Sequence, residues 1–101
     1  MDEKHFKDLP LSLEVLKGLR KLRFTELTPI QAKAMPLLLK SMDVIGQAQT
    51  GTGKTAAFGV PLVMKMDPSE DRVQGLVIAP TRELAEQVSR MIHRFARYTG
   101  V

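Results

Sequence analysis

Residues 48–55 read AQTGTGKT: two glycines, one lysine and three threonines directly behind an apolar run. A strand feeding a glycine-rich turn that opens a helix is the setting in which backbone N–H groups converge on phosphate oxygens. Each residue type here answers a physical demand. Gly51 and Gly53 allow positive φ and close approach to an anion, Lys54 carries a cation to the β and γ phosphates, and Thr55 offers a hydroxyl to Mg²⁺. The helix start behind them adds its partial positive charge. The general pattern is G-x-x-x-x-G-K-[ST], and its first position is Ala48 here. The competing reading is a Gly/Thr turn with an incidental lysine; agreement of motif and setting favours phosphate.

The flanks supply that setting. DVIGQA, residues 43–48, is a short apolar run that predicts a buried strand entering the loop, and GLVIA, residues 75–79, predicts a second. Between them KTAAFGVPLVMKM predicts a helix until Gly59 and Pro61 disturb it, and DPSEDR a polar turn. Residues 83–98 give the strongest helical pattern, with Leu84, Val88, Met91, Ile92 and Phe95 on one stripe and Gly100 as the stop. Upstream, Leu13, Leu16, Leu19 and Leu22 trace a helix with Ser12 as N-cap and Glu14 in its first turn. Thr28 and Pro29 start another, in which Pro36 predicts a kink or a second helix, two short pieces fitting better than one straight rod. Strands alternating with helices imply an α/β fold with parallel strands and right-handed crossovers, preceded by N-terminal helices.

Composition narrows the class of protein. With 44% apolar and 26% charged residues, the 101-residue chain has the make-up of one small globular domain, not of a disordered segment. Fifteen Lys and Arg against 11 Asp and Glu leave a formal charge of +4, a mild tilt toward polyanions that a merely basic surface also explains. Cysteine is absent, and His5 and His93 are too isolated to suggest a metal centre. The charged start MDEKHFKDLP lacks a signal-peptide core, and no apolar stretch is long enough to span a bilayer. These features predict an intracellular protein, cytoplasmic or nuclear, with no membrane association.

Three ordered motifs, LTPIQAKAMPLLL (27–39), AQTGTGKT (48–55) and APTRELAEQ (79–87), resemble the N-terminal part of a DEAD-box ATP-dependent RNA helicase. The resemblance implies a partial RecA-like P-loop domain: residues 1–101 as an incomplete first domain, with 1–27 flanking the Q motif. It also implies ATP and Mg²⁺ as cofactors and RNA as partner. Nucleotide contacts would come from Ala48, Gln49, Thr50, Gly51, Thr52, Gly53, Lys54 and Thr55, with Lys54 and Thr55 catalytic and Thr55 reaching Mg²⁺. TPIQ belongs to the Q motif, so Gln31 would read the adenine edge and Phe6, the upstream aromatic, would stack on the base. Arg23 stands where the family usually has glycine before the aromatic Phe24. PTREL is similar to motif Ia, which assigns Pro80, Thr81, Arg82 and Glu83 to the RNA sugar-phosphate backbone, with little base preference. The residues alone leave alternatives open: Gln31 as a polar residue of a first helical turn, Phe6 as a core anchor, Arg82 paired with Glu83 or Glu86. Arg90, His93, Arg94 and Arg97 form either an accessory RNA surface or a solvated helix face.

The family's acidic box, its later motifs and its second RecA-like domain do not occur in these 101 residues. The expectation is a fragment that holds adenine nucleotide without hydrolysing it well or unwinding RNA by itself. A stand-alone, non-catalytic P-loop binding module is the alternative, and a small P-loop kinase a weaker one that TPIQ and PTREL oppose. A two-strand sheet with exposed edges adds self-association to the expectations.

Overall fold

Four helices and a short 3₁₀ turn, in a computed structural model describing residues 4–49 and 53–101, form the framework. The 3₁₀ turn Phe6–Asp8 is followed by α1 (Leu13–Lys21), α2 (Pro29–Leu39), α3 (Lys54–Met64) and α4 (Arg82–Phe95). α3 packs on α2 and on α4, and α1 crosses α4. Phe95, Leu19, Met35, Val15 and Val60 are fully buried where these helices meet.

Local sequence explains each helix start. Ser12 Oγ accepts the Val15 amide at 3.2 Å and Thr81 Oγ1 accepts that of Leu84 at 3.1 Å, so α1 and α4 open on side-chain caps. α2 opens with Thr28 as N-cap and Pro29 in the first turn, where a missing N–H costs nothing. The face of α1 differs from expectation. Val15, Gly18 and Leu19 are buried, whereas Leu13 is 79% exposed. Steps of three drift backward around a 3.6-residue helix, so the Leu13–Leu16–Leu19 series leaves the core at its N-terminal end.

Both proline expectations are overturned. α2 runs continuously through Pro36, and α3 through Gly59 and Pro61. Tertiary packing overrides local propensity here. Gly59 is buried where a Cβ would come within 3.2 Å of Ile92 and 3.4 Å of Phe95, so the absent side chain is what lets α3 approach α4. α4 begins one residue earlier than expected, at Arg82, and ends at Phe95, leaving Tyr98 beyond it.

The two expected buried strands are a further correction: among the described residues no strand ladder forms, and the one β-bridge joins His5 to Glu26. Ile45, Leu76 and Ile78 are 98%, 80% and 86% exposed. A ladder needs a neighbour about 4.8 Å away, and neither segment has one here. One side of residues 75–79 turns toward the helices: Gly75 lies close to Leu62, and Gly75, Val77 and Ala79 border a cavity of about 240 Å³ whose other wall includes Leu62, Val88 and Ile92 of α3 and α4. Alternate residues facing helices and solvent is strand periodicity without the sheet. The DPSEDR turn forms as expected, with Asp67 Oδ1 accepting the Ser69 amide at 2.9 Å and hydroxyl at 2.7 Å. No helix among the described residues is long and apolar enough to cross a membrane.

Candidate functional site

The site is assembled where the N-terminal segment meets the starts of α2 and α3. The Phe6 amide donates to the Thr25 carbonyl at 3.0 Å and the Leu27 amide to the Lys4 carbonyl at 2.9 Å, pinning the segment along residues 25–27. This places Phe6 against Phe24, with ring centroids 6.1 Å apart and planes inclined by 26°, and Phe24 in turn meets Phe95 at 5.8 Å. Phe6 is 2% exposed and belongs to the core, in line with the anchor reading of this residue.

Gln31 ties the start of α2 to the start of α3. It is 3% exposed, its Oε1 accepts the Thr28 amide at 2.9 Å, and its Nε2 donates to the Gly53 carbonyl at 3.1 Å. Among the described residues, one amide N–H and one oxygen lone pair are left for a further partner. Gly53 is the N-cap of α3 at φ 85° and ψ 23°, left-handed backbone that favours glycine. A Cβ there would also collide with Gln31 Nε2 and lie 3.3 Å from Thr28 Oγ1. Thr28 Oγ1 is buried without a hydrogen-bond partner among the described residues. Phe6, Arg23, Phe24, Thr28, Gln31 and Gly53 line one open cavity of about 390 Å³, with Thr25 and Glu26. Lys54, exposed, and Thr55, half-buried, form the first turn of α3 next to it.

Ala48 is half-buried and Gln49 exposed on the approach to α3, while Thr50, Gly51 and Thr52 lie outside the described residues. The PTREL residues form a separate helix start. Pro80, Thr81, Arg82 and Glu83 are all exposed, and among the described residues Arg82 makes no ion pair with Glu83 or Glu86. The Thr81 hydroxyl spends a lone pair on the cap and keeps its proton to donate. On α4, Arg90, His93 and Arg94 are exposed, His93 Nδ1 lying 3.0 Å from the Ser89 carbonyl; beyond the helix, Arg97 rests 5.4 Å from the Tyr98 ring. No group of three or more His, Cys, Asp or Glu among the described residues could hold a metal ion.

Comparison with known proteins decides the family: the sequence pattern described as DEAD/DEAH box helicase matches residues 28–101. The chain belongs to the DEAD/DEAH box helicase family. It is 58% identical over 89 residues to the DEAD-box ATP-dependent RNA helicase CshA of Geobacillus kaustophilus, covering 88% of this chain and 19% of that protein. The Bacillus subtilis CshA is 54% identical over 92 residues, with 91% and 19% covered. The chain thus spans about a fifth of the length of these relatives. Among solved structures, Saccharomyces cerevisiae Dbp5 bound to RNA and ADP BeF3 superposes with a TM-score of 0.92 at 37% identity, covering 97% of this chain and 26% of that one. A DEAD box protein from the hyperthermophile Methanococcus jannaschii gives 0.88 at 35%, covering 94% and 26%. The arrangement of α1 to α4 is therefore that of DEAD-box proteins, although the parallel sheet is not formed among the described residues.

Sequence reading of this DEAD-box chain gave no site role to Arg23, Phe24, Thr25, Glu26 or Thr28 of the cavity wall, and two of these stand out. Phe24 supports Phe6, and Thr28 contributes a buried hydroxyl. Both lie in RFTELTPIQ, where an aromatic and an N-cap threonine flank the motif, and that adjacency was the available signal.

Proposed function

We propose that this chain grips an adenine nucleotide between the Q-motif segment and the start of α3, and presents the start of α4 to the RNA backbone, as part of an ATP-dependent RNA helicase. The observation that carries the reading is the convergence of Phe6, Gln31 and Gly53 on one cavity immediately ahead of the GKT helix start. The family and the names of its relatives support ATP as ligand, and unwinding belongs to proteins about five times this length.

The remaining N–H and lone pair of Gln31 form a donor–acceptor pair that suits adenine N6 and N7 and mismatches guanine, which presents two acceptors there. Phe6, with its face committed to Phe24, meets the base at the ring edge. The Thr28 hydroxyl, in the capping box of α2 and without a close hydrogen bond among the described residues, adds a polar atom to the cavity wall. Ala48 to Thr55 hold the phosphates, with Lys54 as the cation and the N-terminal amides of α3 as donors. Mg²⁺, when bound, would neutralise phosphate charge, and from this chain the Thr55 hydroxyl would hold it. At α4, Arg82 and the Thr81 hydroxyl contact phosphate, with Pro80 and Glu83 shaping the turn. The exposed Ile45, Leu76 and Ile78 support self-association of the chain in isolation.

Equilibrium binding of ATP and GTP to the 101-residue chain tests the reading. ATP is preferred by the parent, Lys54→Ala loses both nucleotides, and Gln31→Ala reduces the preference about tenfold, the discrimination of one bidentate base contact. Equal affinity of the parent chain for ATP and GTP overturns it. ATP turnover stays at background with or without RNA; robust RNA-stimulated turnover sinks the division between gripping and hydrolysis.

A further inference from the structure

Phe6 and Phe24 are a shared wall. On one side lies the cavity that holds Gln31, and on the other a second cavity of about 340 Å³ floored by Phe6, Leu16, Leu19 and Phe24, with Leu13 on its lip. Its volume and apolar lining are those of a binding pocket rather than of a surface wrinkle. Leu13 is 79% exposed at the first position of α1, an apolar ledge extending the pocket outward. The polar lining is cationic or neutral: Lys7, Arg20, His5 and Thr25, with no carboxylate. Lys7 and Arg20 are exposed, and among the described residues neither enters an ion pair.

We propose that this second cavity docks an acidic amphipathic segment of a partner protein, which inserts leucine or aromatic side chains against Leu13 and Leu16 and sets carboxylates against Lys7 and Arg20. Charge complementarity selects the occupant, since an apolar floor under unpaired cations matches a helix face carrying apolar anchors flanked by Glu or Asp. RNA fits poorly. Stacking platforms need an exposed aromatic face, and here the two rings are stacked on each other with Phe6 2% exposed. A small amphiphile would fill the cavity and leave the Leu13 ledge bare, whereas a helix covers both. The proposal stands whether or not the neighbouring cavity takes a nucleotide, because its floor and rim belong mostly to α1 and the 3₁₀ turn.

The test is fluorescence polarisation with a labelled synthetic helical peptide carrying Leu at i and Phe at i+4 between glutamates, beside a twin in which lysines replace the glutamates. The full chain binds the Glu peptide saturably and the Lys peptide more weakly. Charge reversal at two exposed positions, Lys7→Glu with Arg20→Glu, leaves the fold intact, weakens the Glu peptide about tenfold and strengthens the Lys peptide. Methyl NMR shifts on binding are largest at Leu13 and Leu16. Equal affinity for the two peptides, indifference to the charge reversal, or shifts confined to Leu76 and Ile78 overturn the proposal. So does full displacement of the peptide by decanoate at its own saturating concentration with no shift at Leu13, or by single-stranded RNA.

Discussion

At the scale of single residues, the strongest asymmetry in the site is between Gln31, whose amide is engaged at both ends, and Thr28, whose hydroxyl faces the Gln31 backbone in the capping box of α2 but makes no close hydrogen bond among the described residues. A buried hydroxyl without a partner is a desolvation cost of about 1–3 kcal/mol, and replacing it with a methyl of the same shape removes that cost. Thr28→Val removes both that cost and the cap oxygen at the start of α2, so it is expected to lower stability by no more than the roughly 2 kcal/mol of a lost cap while weakening ATP binding. Calorimetric unfolding read alongside ATP titration separates these effects, and a large loss of stability would show that the hydroxyl is structural. Asp67 offers a residue-scale prediction away from the site. The Ser69 hydroxyl first, and the Ser69 amide second, hold its carboxyl below the ordinary 3.8. A depressed carboxylate stabilises the turn above its unfolded pKa, and that support is lost as pH falls through the lower folded value. Ser69→Ala removes the larger cause, so the Asp67 titration followed by carboxyl-carbon NMR moves up toward 3.8.

At the scale of elements, helix starts were legible because caps are local. Ser12, Thr28 with Pro29, and Thr81 each stand at the helix entrance that their chemistry dictates. Ser12→Ala is expected to cost about 0.5–2 kcal/mol, the range for losing a capping side chain, and urea unfolding of parent and variant measures it. No change would mean that packing of Val15 and Leu19, rather than the cap, fixes where α1 begins. What the sequence hid is non-local. Gly59 and Pro61 read as breakers, yet α3 continues because the bare Cα of Gly59 is what admits Ile92 and Phe95 of α4, a contact more than 30 residues away in the chain. The same logic applies to the site. Lys54 and Thr55 were legible as the start of α3, and TPIQ as the start of α2. That Gln31 joins the two by donating to the Gly53 carbonyl depends on how α2 and α3 pack, which no local pattern states.

At the scale of the whole molecule, the helices have found one another and the strand segments have not. DVIGQA and GLVIA carry genuine strand composition, but a ladder is a property of two segments, and among the described residues neither has a partner. Residues 75–79 turn Gly75, Val77 and Ala79 toward a cavity shared with α3 and α4, while Leu76 and Ile78 face solvent at 80% and 86% exposure. Apolar residues on both faces are the mark of a strand covered from both sides. Left bare, that surface drives association through edge pairing and burial of apolar area, at about 25 cal/mol per Å² removed from water. The chain in isolation is therefore expected to form dimers or larger species whose population rises with concentration. Leu76→Lys with Ile78→Lys places charge on the outward face and leaves the inward face untouched, so it should shift the chain toward monomer without lowering the helical signal. Light scattering coupled to size exclusion, with circular dichroism on the same samples, checks both halves. A parent chain that stays monomeric at high concentration would mean the outward apolar face is tolerated in water. Loss of helix in the double variant would mean that Leu76 and Ile78 support the core after all.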